Sequence, residues 1–178
     1  MIKKILMGLG IFFVVVVIIG MASGPSKKTS NEPVKVESTS QGSEQTQETQ
    51  KQTEFKVGDV VKMGEREFIV NSAKRMSQIG QYQSAKAGKE YIVVNVTIRN
   101  GGTSEISYNP FDFKVQNSNG AQEDQSFAVS DDPLRSGTLI GGGNVTGSIP
   151  FEVTQGDANL KLIFQPSVWS KEKIVVAL

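Results

Sequence analysis

Residues 89 to 100 read Lys-Glu-Tyr-Ile-Val-Val-Asn-Val-Thr-Ile-Arg-Asn and are followed by Gly101-Gly102, and no other stretch limits the fold as tightly. Ile92, Val94, Val96 and Ile98 fall on one side of a period-2 ladder, with Tyr91, Val93, Asn95, Thr97 and Arg99 on the other. That is the pattern of a strand with one core-facing side, and its β-branched content argues against a helix. A chain with this segment at its centre needs further strands on both flanks.

Such strands are present. Val60–Met63 and Arg66–Ser72 flank the Gly64-Glu65 turn, Phe111–Val115 reads as half-buried, and Gln125–Val129 reads as a weaker strand. Asn144–Val153 carries Val145, Ile149, Phe151 and Val153 on one face, with Gly147 on the same face where a facing sheet can approach closely. Leu160–Phe164 and Ile174–Leu178 complete about eight strands, with turn signals between them and no amphipathic helix. This predicts an all-β antiparallel sandwich over residues 54–178, with a closed barrel as the alternative architecture.

The chain ahead of residue 54 is of another kind. Met1-Ile2-Lys3-Lys4 precedes an uncharged apolar run from Ile5 to Ala22. As a helix this run is about 27 Å long, near the ~30 Å of a bilayer's hydrocarbon. Lys3 and Lys4 favour a cytoplasmic N-terminus, which predicts a single-pass anchor over residues 1–22 with the remainder outside the cell. The alternative is a cleaved secretory signal, with Gly20 and Ala22 as the small residues before the cut. Residues 23–53 are rich in Ser, Thr, Gln, Glu, Lys and Pro and have no aromatic, so a disordered tether of roughly 30 Å mean span is expected.

Composition narrows the chemistry. Lys and Arg total 19 against 18 Asp and Glu, with four of each in residues 23–53 and thirteen against fourteen in residues 54–178, so the basic footprint of a nucleic-acid binder is missing. There is no cysteine and no histidine. Thiolate and His-based nucleophilic catalysis, disulfides, Cys or His zinc sites and thioether lipidation all require one or the other. The expectation is a non-enzyme with no cofactor.

Local features give candidates rather than a site. The segment from Met76 to Gly88 is long for a connection, and its Ile79 and Tyr82 are either contact residues or a cover for one end of the core. Asp131 and Asp132 lie in a second polar loop. With Glu123 and Asp124 they would offer oxygen ligands to calcium, although their spacing does not follow the EF-hand order. Glu123 facing Asp131 across a groove would suit a carboxylate glycan hydrolase. Gly141-Gly142-Gly143 precedes a strand, so it reads as a turn rather than a phosphate cradle. Asn95-Val96-Thr97 and Asn144-Val145-Thr146 fit a glycosylation pattern but fall in strands, and Trp169 and Tyr108 are pocket or core aromatics.

The residues also carry a resemblance. Phe55-x-Val57-Gly58-Asp59, Phe68-x-Val70, Gly88 through Asn100, Phe111-x-Phe113 and Gly147-x-Ile149-x-Phe151-Glu152-Val153 occur in that order. The chain from residue 54 onward resembles the telokin-like, immunoglobulin-like domain-of-unknown-function family of exported Gram-positive bacterial proteins, to which a secreted mycobacterial immunogenic antigen is similar. The resemblance implies an Ig-like sandwich outside the membrane with a binding role, and it supplies no catalytic residues. With the exported position and the tether, the expectation is a module that contacts an unknown protein, peptide or cell-wall ligand. Members often begin as lipoproteins, and the missing cysteine sets this chain apart from them.

Overall fold

The computed structural model describes residues 33–36, 54–166 and 172–178. The apolar run 5–22, most of the polar stretch 23–53 and Trp169 lie outside the described residues. Among the described residues no helix is long and apolar enough to cross a membrane.

In chain order the strands are β1 (Val34–Val36), β2 (Phe55–Lys56), β3 (Val60–Met63), β4 (Arg66–Met76), β5 (Gln78–Ile79), β6 (Gln83–Ser84) and β7 (Lys89–Asn100). They continue with β8 (Ile106–Tyr108), β9 (Phe113–Gln116), β10 (Gln122–Glu123), β11 (Gly137–Leu139), β12 (Asn144–Thr154), β13 (Lys161–Phe164) and β14 (Ile174–Ala177). One five-stranded sheet runs β1-β3-β4-β7-β12 and a second runs β10-β9-β13-β14-β2. The predicted sandwich is present, and β7 pairs antiparallel with β4 and β12 along its length. The sheets are not wholly antiparallel, because β2 joins β14 in parallel.

Alternation builds the core. Phe68, Val94, Val96, Ile98 and Phe151 from the first sheet and Val115, Leu162 and Ile174 from the second are shut off from water. Phe68, Phe113 and Phe164 meet at its centre, with ring centroids 4.7 to 5.7 Å apart, the range in which aromatic pairs add to their burial.

Several expectations are corrected. Phe111 does not begin a strand: Pro110–Asp112 forms a 3-10 turn capped by Asn109, whose side-chain oxygen accepts from the Phe111 N–H, and Phe111 is left exposed. Gln125–Val129 is not a regular strand. Only Gln125 bridges to Phe151, and the chain then crosses the edge of β12. Gly147 does face inward, but what it admits is the backbone of that crossing segment: a Cβ on it would lie 2.6 Å from the Leu134 Cα. Within the polar stretch, Val34–Val36 is a strand that pairs with β3, contrary to the disorder expected there. Its Pro-Val-Lys-Val alternation is the one β-like signal in an otherwise polar run. The about eight strands expected are joined by short ones of two or three residues that no hydrophobic period announces.

Candidate functional site

One irregularity in β4 shapes the outer face of the first sheet. Phe68 and Val70 point into the core opposite Ile98 and Val96, but the register slips between Val70 and Ser72, leaving Asn71 as an extra residue. Without the bulge, Ser72, Lys74 and Met76 would continue inward. With it they turn outward beside Asn95, Val93 and Tyr91, and Ala73 takes the core side.

Those redirected side chains form part of a cleft of about 430 Å³, a volume in the range of small-ligand sites. Its floor crosses three strands: Ser72, Lys74 and Met76 on β4, Val93 and Asn95 on β7, and Ser148 on β12. Ile79 and Gly80 form one wall, and Ser130, Asp131 and Asp132 form the other.

Both walls are held by hydrogen bonds. The crossing segment is stitched to β12 by Leu134 N–H donating to Ser148 O (2.9 Å) and Ser148 N–H donating to Asp132 O (2.7 Å). Ile79 is buried with Tyr91 and Val93 in a second small apolar cluster, which fixes the hairpin wall. The base of that hairpin is secured by Glu152, which accepts from the Lys86 backbone N–H and from its ammonium, each at 2.9 Å. These bonds hold the Glu152 carboxyl below the usual glutamate range.

The floor is a polar ladder. Asn71 Nδ2 donates to Asn95 Oδ1 (2.7 Å) and Thr97 Oγ1 (2.9 Å), and Asn95 Nδ2 donates to Asp132 Oδ2 and Ser148 Oγ, both at 3.0 Å. Asp132 is thereby partly engaged. Three groups are not: among the described residues the Lys74 and Asp131 side chains make no ion pair or hydrogen bond, and the Ser130 hydroxyl, on a residue only 8% exposed, has no partner. A buried hydroxyl left unbonded costs about 1–3 kcal/mol, but the Ser130 oxygen is itself closed off from the cleft, so the groups the cleft presents to a ligand are the exposed Lys74 and Asp131 side chains.

Of the candidate residues, Ile79, Asp131 and Asp132 come together in this cleft, while Tyr82, on the hairpin turn next to it, is 86% exposed and does not line it. Phe127 and Val129, just ahead of the other wall, are likewise exposed. Glu123 sits on β10 of the other sheet and Asp124 pairs with Lys114, so these two do not join Asp131 and Asp132. Among the described residues no group of three or more acidic side chains is placed to hold a metal. Gly141–Gly143 forms a turn, with Gly143 N–H donating to Ile140 O. Tyr108 packs at the edge of the core. Sequence reasoning missed Lys74, Asn95 and Ser130. The one signal for Lys74 was the lengthened spacing from Phe68 and Val70 to Ala73, which betrays the bulge.

Fold and cleft together define a β-sandwich module with a ligand-sized concavity on its sheet face. The chain belongs to the family described as Domain of unknown function (DUF4352), which residues 55–174 match. It is 28% identical over 125 residues to the Uncharacterized lipoprotein YjhA of Bacillus subtilis, a match covering 62% of this chain and 58% of that protein. The chain thus spans less than two thirds of that relative's length. The crystal structure of the yjhA protein superposes with a TM-score of 0.56 at 24% identity, covering 70% of this chain and 98% of that one. A putative lipoprotein (ycdA) from the same organism gives 0.55 at 14% identity, covering 64% and 36%. Both likenesses are of fold.

Proposed function

We propose that this protein is an extracytoplasmic binding module, tethered to the cell membrane by residues 5–22, that takes a ligand into the cleft between Ile79 and Asp131 and performs no chemistry on it. The observation that carries the reading is a pair of unspent opposite charges lining one concavity, a cation at Lys74 and an anion at Asp131. A sheet face that served only to space other parts apart would gain nothing from the bulge that turns Lys74 outward.

Export is supported by a relative named a lipoprotein. Thioether lipidation needs a cysteine, which this chain lacks, so the uncharged run Ile5–Ala22 takes over the anchoring. The polar stretch after it supplies reach into the envelope. A non-catalytic role is supported by the absence of histidine and cysteine from the sequence.

Fractionation of intact cells, together with protease shaving, tests the placement: the full-length chain should pellet with membranes and lose its domain to external protease. Recovery entirely in the medium, beginning at Ser23, would replace the tether with a cleaved signal. Incubation with wall fragments tests the rest, since turnover of any component would make the cleft an active site.

A further inference from the structure

The charges in the cleft are arranged in space, and that arrangement selects a ligand. Lys74 stands on β4, and Asp131 stands beyond β12 in the crossing segment, two residues before Pro133 bridges to Ser148. From β4 through β7 and β12 to the crossing segment is three inter-strand steps, roughly 14 Å of backbone separation at ~4.8 Å each. The lysine stem shortens that distance, leaving a gap on the order of two or three residues of extended chain at ~3.5 Å each. Between the two charges lie Val93 and Asn95 on β7, Ser148 on β12 and the Asp132 carboxylate that Asn95 holds, while Met76 and Ile79 form an apolar flank on the hairpin side.

We propose that the cleft is a receptor site for a short peptide with free termini. This rests on the cleft being a binding site at all. The peptide's ammonium meets Asp131, its carboxylate meets Lys74, and one apolar side chain lies on Met76, Ile79 and Val93. Both carboxylate and ammonium are then desolvated against an opposite charge, the condition under which such burial is tolerated. A dicarboxylate would be repelled by Asp131 and Asp132, and a polyamine, though drawn to those two carboxylates, would leave the Lys74 ammonium against a like charge. A neutral glycan would stack on the exposed Tyr82 and Phe127 but would leave both charges desolvated without a counter-charge.

Calorimetric titration of the full chain in detergent, using Ala-Leu-Ala, its N-acetylated form, its C-amidated form and a neutral chitin tetrasaccharide, tests this. Lys74 and Asp131 are both exposed, so Lys74→Gln and Asp131→Asn should keep the fold. The free tripeptide should bind, and blocking either terminus should weaken it about fivefold. Asp131→Asn should abolish the penalty of acetylation only, and Lys74→Gln that of amidation only, a pairing that a non-specific charge effect would not produce. Equal binding of free and blocked peptides would overturn the peptide assignment. Binding of the tetrasaccharide alone, weakened in Lys74→Gln or Asp131→Asn, would overturn it too while leaving the cleft a binding site. No heat with any of the four probes would count against both.

Discussion

Gln83 and Val129 hydrogen-bond in both directions: the Val129 N–H donates to Gln83 Oε1 at 2.8 Å, and Gln83 Nε2 donates to the Val129 carbonyl at 3.4 Å. Forty-six residues apart in sequence, they join the β5–β6 hairpin to the segment that crosses β12, the two walls of the cleft. Gln83→Ala should cost about 1 kcal/mol or less, because the shorter bond carries most of the interaction and the site is partly exposed. Its larger effect should be local: amide hydrogen exchange at residues 127–132 should speed up several-fold while β7 is unchanged. Unaltered exchange in that loop would mean the walls are held independently.

Gly147 and Leu134 predict a steric result. A Cβ at position 147 would sit 2.6 Å from the Leu134 Cα and 2.8 Å from its N, and backbone atoms cannot swing aside as a side-chain tip can. Gly147→Ala should destabilise the fold by about 1–3 kcal/mol in urea titration and shift the Leu134 N–H to Ser148 O contact. Gly143→Ala, which would meet backbone at 3.0 Å in an exposed turn, should cost less. Equal losses at the two positions would remove the special role given to the crossing segment.

Asn100 closes the far end of β7. Only 1% exposed, it donates from Nδ2 to Ser104 O (2.6 Å) and Leu139 O (3.0 Å) and accepts from Gly102 N–H (3.0 Å). Asn100→Ala strands these groups and should cost about 2–3 kcal/mol. Asn100→Asp keeps the shape but cannot donate to either carbonyl, so a denaturation midpoint close to that of the native chain would refute this account.

The reach of the sequence is set by how local each determinant is. Val94, Val96 and Ile98 declare their face because burial follows period 2, and the same holds for Phe151 and Val153 on β12. Phe111 and Phe113 carry the same alternation, yet Pro110 and the Asn109 cap impose a turn first, so a local bond overrides the pattern. The cleft was less legible than the core. Ile79, Asp131 and Asp132 are visible as loop residues, but nothing in the chain says that residues 130–134 will pair with β12. That pairing is a long-range backbone event. Lys74 was hidden by the bulge, because an unbroken period from Phe68 assigns it to the core.

Glu152 yields a pH prediction. Its carboxyl is held below the usual range first by the Lys86 backbone N–H and then by the Lys86 ammonium. A lowered folded value means the unfolded chain takes up the proton first. The stabilisation is therefore whole above the ordinary glutamate value of about 4.3 and is lost as pH falls through the lower folded value. Glu152→Gln should melt lower than the native chain at pH 7, and the gap should narrow steadily below about pH 4. A constant gap from pH 7 to pH 3 would show that the interaction does not depend on the carboxylate charge.

The last prediction concerns the open edge of the first sheet. β3 pairs with β4 on one side, and on the other its Val60, Val61 and Lys62 are covered by β1, with Lys35 Nζ 2.9 Å from Asp59 Oδ1. Three residue pairs and one partly exposed ion pair must offset closing the segment that joins β1 to the domain, so the net contribution to stability should be about 1 kcal/mol or less. The consequence of removing β1 is larger for association than for folding. An uncovered edge strand offers unpaired N–H and C=O groups to another chain, and one exposed lysine, Lys62, is its main protection. A chain lacking residues 1–36 should therefore keep nearly the same melting temperature as one lacking residues 1–32, yet show faster amide exchange at Val60–Lys62. It should also sediment with a concentration-dependent dimer fraction that Val61→Lys suppresses only by unfolding the domain, because Val61 faces the core, and that Val60→Lys, at a half-buried position on the opposite side of the strand, suppresses without unfolding it. Two truncations that sediment identically would show that β1 is not what keeps this edge from pairing.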